Sequence, residues 1–217
     1  MLVLNERGER VEVGRLHGPV CQPLGTHGPE VCYGANMNRY VALLRGINVG
    51  GNNLIKMTAL KACFEKQKLQ EVATYIQSGN VVFCAKESTA GPLCSRIERA
   101  LSTAFGYDAS VVLRSEKQMR DVVARAPKGF GTQPDKYRYD VIFLKEPLTA
   151  PVAIKSVATA PGVDEAHAGA GVLYFSRLIS QATRSRLGKI VASPIYKSVT
   201  IRNWNTTTKL LQMMDAP

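Results

Sequence analysis

The sequence is short of long apolar runs, of acids and of the compact patterns that mark common cofactors, and each shortage closes off a class of function. Its longest hydrophobic runs fall well below the roughly 20 residues that span a bilayer, so no membrane partner is expected. The opening residues, Met1-Leu2-Val3-Leu4-Asn5-Glu6-Arg7, lack the basic-then-apolar layout of a secretory signal. Five cysteines occur without a CxxC pair, which fits reduced thiols and a cytoplasmic setting better than a disulfide framework. No GxGxxG, no GxSxG and no GxxxxGK followed by Ser or Thr is present, so neither a nucleotide fingerprint nor a serine-hydrolase elbow applies. Carboxylates are sparse and scattered. Asp164 and Glu165 with His167 form the only local cluster, which reads as a solvated strand edge rather than a metal-ligand set. No cofactor is expected.

What the chain has in abundance is positive charge. Its 217 residues hold 28 Lys and Arg against 17 Asp and Glu, a formal net charge of +11. Residues 1–36 carry three Arg and four Glu, which leaves 25 basic and 13 acidic residues in 37–217. From Arg177 onward, seven basic residues face Asp215 alone. A surface of this sign attracts polyanions in a salt-dependent way, so a nucleic acid or a phosphorylated small molecule is the expected partner. Composition does not set the oligomeric state.

Residues 1–36 are rich in Gly, Pro and His, show little apolar periodicity and read as a disordered extension. They contain a loose echo, His17-Gly18-Pro19-Val20-Cys21 and His27-Gly28-Pro29-Glu30-Val31-Cys32, whose spacing is not a familiar zinc pattern. From Arg39 the signals become regular. Arg39–Leu44 reads as a strand, Met57, Leu60, Cys63 and Phe64 as one helix face, and Val72–Ile76 and Val81–Cys84 as a hairpin around Gln77-Ser78-Gly79-Asn80. Leu93, Ile97, Leu101 and Ala104 share a second helix face capped by Gly106, and Ala109–Leu113 is a fourth strand. The order is β-α-β-β-α-β.

The second half repeats that order. Ser115-Glu116-Lys117-Gln118 is a capping box opening a connecting helix. A strand over Tyr139–Leu144, a short helix from Pro151, strands near 164–168 and 172–176, a helix around Leu187, Ile190 and Val191, a strand over Ser198–Arg202 and a closing helix from about Thr206 follow. The fold class is therefore α+β: a duplicated ferredoxin-like arrangement, βαββαβ twice, with antiparallel sheets and helices on one face. The first unit covers 37–114 and the second 115–217 with flanking helices. The halves share element order and no residue-level identity. In such a plait the first and second strands run parallel, so the Gly46–Asn53 loop and the Gln77–Asn80 hairpin should be neighbours.

Three segments resemble a known family. Arg45-Gly46-Ile47-Asn48-Val49-Gly50-Gly51, then Thr74-Tyr75-Ile76-Gln77-Ser78-Gly79-Asn80-Val81-Val82-Phe83, then Thr200-Ile201-Arg202-Asn203-Trp204-Asn205-Thr206 are similar to the hallmark motifs of the bacterial "domain of unknown function 1697" proteins. The resemblance covers about 37–217. It implies a compact duplicated ferredoxin-like protein with no established activity. Two departures stand out: Lys68 where the family pattern has glycine after the first helix, and the extension over 1–36.

The same segments supply the candidate ligand residues. Gly46, Asn48, Gly50 and Gly51 form a loop that can curl tightly ahead of a helix and present N–H groups to an anion, with Arg45 as a fixed charge; a plain tight turn is the competing reading. Gln77, Ser78 and Asn80 offer amides and a hydroxyl beside that loop, although Ser78 has no adjacent base to make it a nucleophile. Arg202, Asn203, Trp204 and Asn205 combine a guanidinium with the sole tryptophan, a pair that either stacks a base or fills the seam between the halves. Asn205 or Thr206 would cap the closing helix. The first-unit strands Tyr40–Leu44 and Val81–Cys84 lack the paired exposed aromatics of an RNA-recognition sheet. Two functions compete: binding of nucleic acid or a phosphorylated ligand, and an enzyme acting on a small anionic metabolite. A third reading has the motifs only joining the halves. No catalytic residue is assigned.

Overall fold

The computed structural model describes residues 37–48 and 53–215, together with two short N-terminal strands. Those strands, β1 (Leu2–Leu4) and β2 (Arg10–Glu12), pair antiparallel with Val3 opposite Val11. They belong to a separate unit, Met1–Val31. The rest of 1–36, including both His/Cys segments and most of the expected extension, lies outside the described residues, as do Val49, Gly50, Gly51 and Asn52.

The first plait consists of β3 (Asn38–Leu44), α1 (Met57–Lys66), β4 (Gln70–Tyr75), β5 (Asn80–Ala85), α2 (Ala90–Phe105) and β6 (Val111–Ser115). Its strands lie in the order β4-β5-β3-β6, antiparallel throughout. Alternation along β3 assigns the faces. Tyr40, Ala42 and Leu44 join Leu60, Phe64, Leu93, Ile97 and Leu101 in a core beneath α1 and α2, while Val41 and Leu43 point the other way. Gly106 ends α2 at φ 68°, the left-handed cap its sequence position suggests. Lys68 ends the turn after α1 at φ 60°, a conformation that favours glycine.

The second plait follows α3 (Glu116–Ala124), whose Ser115 capping box is present with both reciprocal hydrogen bonds. It contains β7 (Tyr137–Leu144), α4 (Ala150–Ala153), β8 (Asp164–Gly169), β9 (Val172–Leu178) and β10 (Val199–Asn203), and α5 (Trp204–Asp215) closes the chain. Read from β8, the order β8-β9-β7-β10 matches the first sheet strand for strand. The helix expected around Leu187–Val191 is instead a set of 3-10 turns, Ile179–Arg184, Leu187–Ala192 and Tyr196–Ser198. Gly188 and Pro194 leave no uninterrupted stretch long enough for an α-helix, yet Leu187, Ile190 and Ile195 still cover the outer face with Leu144, Leu173 and Phe175.

The third core joins the plaits. Val41, Leu43, Val82 and Val112 from the first sheet and Val141, Phe143, Val172 and Tyr174 from the second share it with Met119 and Val122 of α3 and Leu210 and Met214 of α5. The two closing helices therefore cover a face that a solitary plait would leave bare. Among the described residues no helix is long and apolar enough to cross a membrane.

Candidate functional site

The neighbourhood expected from strand direction is present. Asn48 Nδ2 donates to Gln77 O at 2.9 Å and to Ile55 O at 3.0 Å, and its Oδ1 accepts from Ile55 N at 2.8 Å. Asn53 Nδ2 donates to Gly46 O at 3.0 Å, so both asparagine amides are occupied in closing the loop. Asn48 and Asn53 sit at φ 54° and 47°, left-handed conformations that asparagine tolerates well. Arg45 does not stand free over this loop. Its Nε donates to Tyr196 O at 3.1 Å and its guanidinium lies 4.4 Å from the Tyr196 ring centre, so it bridges to the second plait.

Arg202 comes to the same place and is buried. Its Nε donates to Asn80 Oδ1 at 2.5 Å, Nη1 to Thr200 Oγ1 and Ile201 O, and Nη2 to Leu44 O at 2.8 Å, Ser78 O at 2.9 Å and Gly79 O at 3.3 Å. Asn80 is itself fully buried and spends its Nδ2 on Tyr75 O and Ser78 Oγ. Burial pulls the Arg202 guanidinium down to about 10. Every partner is neutral, so aligned carbonyl and amide dipoles alone hold the cation. Gly79 lets the hairpin carbonyls that Arg202 grips pack against β3: at φ 72°, a Cβ there would meet Leu44 Cβ and Ile47 Cδ1 at 2.8 Å.

An equivalent residue escaped the sequence reading. Arg114 ends β6 as Arg202 ends β10. Its Nη2 donates to Leu144 O at 2.6 Å and Gly171 O at 2.9 Å, and its Nη1 to Leu113 O at 2.8 Å. Leu144 and Gly171 occupy in the second plait the places of Leu44 and Gly79 in the first. Leu44 N donates to Gly79 O and Leu144 N to Gly171 O, while Arg45 N donates to Ser110 O and Lys145 N to Ser198 O. The halves thus correspond residue by residue, through backbone positions rather than side-chain identity. Even the caps match: Ser115 accepts from Gln118 N, and Asn203 Oδ1 accepts from Thr206 N at 2.7 Å. The cap of α5 is accordingly Asn203, ahead of Asn205 and Thr206, because the helix begins directly at the strand end.

The remaining motif residues face a different space. Asn203, Trp204 and Asn205 line a cavity of about 430 Å³ at the N-terminal end of β7, with Tyr137, Tyr139, Arg138 and Arg177 on its other walls. Trp204 packs edge-on against Phe130, 5.2 Å between centres, and lies over Gly131 (φ 85°), where a Cβ would sit 2.3 Å from its Nε1. Arg177 Nε is buried with no hydrogen-bond partner among the described residues, and its Nη2 lies 3.7 Å from Asp140 Oδ2. Burial raises the Asp140 carboxyl above its ordinary value, against the pull of Arg177 and Arg138. Tyr137, Arg138, Tyr139 and Arg177 were absent from the sequence-level candidates. Their signal was the run Lys136-Tyr137-Arg138-Tyr139, basic and aromatic residues interleaved at strand period.

Fold and seam together define a class, a duplicated ferredoxin-like α+β protein whose halves clamp each other through paired arginines. The chain belongs to the family described as "Protein of unknown function (DUF1697)", whose model matches residues 37–174. It is similar to the solved structure of the conserved bacterial protein SP0830 from Streptococcus pneumoniae, with 26% sequence identity and a TM-score of 0.72 over 82% of this chain and 99% of that one. No curated protein matches it.

Proposed function

We propose that this protein binds an anionic ligand, a nucleic acid or a phosphorylated small molecule, and that the ligand enters the cavity beside Trp204. The observation that carries this reading is the wall composition of that 430 Å³ space: Tyr137, Tyr139 and Trp204 with Arg138 and Arg177. Aromatic faces accept a base, guanidinium groups accept phosphate, and the volume falls in the roughly 300–1,000 Å³ range of ligand pockets. The partly exposed Arg177 guanidinium on the cavity wall supplies donors that a phosphate oxygen would satisfy. The chain's net charge of +11 favours the encounter. Arg45, Asn48, Ser78, Asn80 and Arg202 serve this reading indirectly, by fixing the two plaits against each other. The thiols of Cys63 and Cys94 are in no disulfide among the described residues, which supports a reducing, cytoplasmic setting, and the bacterial source of the similar solved structure supports a bacterial cell.

Trp204 is the only tryptophan, so its fluorescence reports directly on this cavity. Titration with uridine monophosphate, inorganic phosphate and a short oligonucleotide should quench it saturably. Arg177→Ala should weaken binding about fivefold or more and flatten the salt dependence. Unchanged emission and no heat of binding with all three probes at millimolar concentration would refute the proposal.

A further inference from the structure

We infer that the ligand of this site is a single-stranded nucleic acid of at least two nucleotides, a specialisation that rests on the binding reading above. Tyr137 and Tyr139 do not line one cavity only. They also form a wall of a second, about 220 Å³ in volume, on the inner face of the same sheet. Its other walls include Lys128, Gln133, His167 and Ser176. The two spaces therefore flank one pair of tyrosines, whose ring centres lie 6.1 Å apart.

The walls differ in chemistry. The Trp204 side has two guanidinium groups, Arg138 and Arg177, which suit a phosphate. The inner side has, beside the single cation Lys128, an amide, an imidazole and a hydroxyl, groups that hydrogen-bond base edges. It also carries the exposed Glu165, 3.8 Å from His167, whose carboxylate would repel a phosphate. One phosphate at the arginines, with successive bases stacked on Trp204 and across the tyrosines, places the neighbouring base in the inner cavity. Lys136 Nζ, 5.3 Å from the Tyr137 ring centre, adds a cation beside the path. A mononucleotide would fill only the first space.

The test compares uridine monophosphate with hexauridylate by Trp204 fluorescence at fixed salt. Hexauridylate should bind at least about tenfold more tightly, the yield of stacking one more base. Gln133→Ala and His167→Ala, both at exposed positions, should each remove most of that gain and leave the monophosphate affinity unchanged. Equal affinity for the two probes, or full hexauridylate affinity in both variants, would overturn the two-cavity inference while leaving the binding reading intact. No binding of either probe would overturn both. Unchanged circular dichroism and thermal midpoint in the variants separate loss of contact from loss of fold.

Discussion

Arg114 and Arg202 do the same job in opposite directions, and the differences between them show which half of the molecule depends more on its partner. Arg114 makes three hydrogen bonds, all to backbone carbonyls, and Glu146 offsets part of the cost of burying its charge. Arg202 makes six, including those to Asn80 and Thr200, and no acid opposes its burial. The position of Asn80 in the first plait is taken by Val172 in the second, so a polar residue was fitted to the arginine on one side only. A buried cation held by neutral dipoles is worth little against a well-packed apolar core, but removing it strands the carbonyls that faced it. The Arg202 seam is thus the more committed of the two.

Removing the guanidinium groups gives the largest expected effect. Arg202→Ala should cost about 3–5 kcal/mol and Arg114→Ala about 2–3 kcal/mol, read as urea midpoints. Equal losses would break the asymmetry. The glycines below the clamps sharpen it. Gly79 and Gly171 have nearly the same φ, 72° and 70°, so alanine carries the same backbone strain at both. At Gly171 the added Cβ meets only the Arg114 guanidinium, at 3.2 Å, whereas at Gly79 it meets Leu44 and Ile47 at 2.8 Å. Gly79→Ala should therefore cost about 1–3 kcal/mol more than Gly171→Ala, the usual penalty of overpacking.

Asp140 tests a buried charge outside the clamps. Its folded-state pKa is raised, so its ionised form costs stability above the folded value and nothing below the ordinary carboxylate range. Asp140→Asn should raise the urea midpoint at pH 7, with the gain shrinking as the pH falls toward 4. A gain that persists at pH 4 would place its origin elsewhere than in charge burial. The smallest effect belongs to Lys68, left-handed at φ 60°. Lys68→Gly should stabilise by up to about 1 kcal/mol, measurable as a small rise in thermal midpoint.

The fold was legible because its cores follow simple periods. Leu93, Ile97 and Leu101 fall at helical spacing and Tyr40, Ala42 and Leu44 at strand spacing, and each set lands in one core. The neighbourhood of Asn48 and Gln77 followed from topology alone. The 3-10 turns over 179–198 were not legible, since Leu187, Ile190 and Val191 keep helical spacing although Gly188 and Pro194 prevent the helix. The correspondence between halves was hidden for a different reason. It runs through the carbonyls of Leu44, Gly79, Leu144 and Gly171, and carbonyls leave no mark in a sequence. Trp204 combines the two roles its sequence allows: it touches the seam core through Phe130 while opening onto the cavity.

The reach of Arg202 has a consequence for biosynthesis. Its acceptors at Leu44 and Ser78 lie 158 and 124 residues earlier in the chain. The first plait therefore emerges from the ribosome with Val41, Leu43, Val82 and Val112 covered only in part as α3, β7 and β9 follow, and their cover is complete only when β10 and α5 are synthesised. During that interval the nascent chain keeps part of an apolar face open, the kind of surface through which half-made copies associate, and the closing segment removes that hazard.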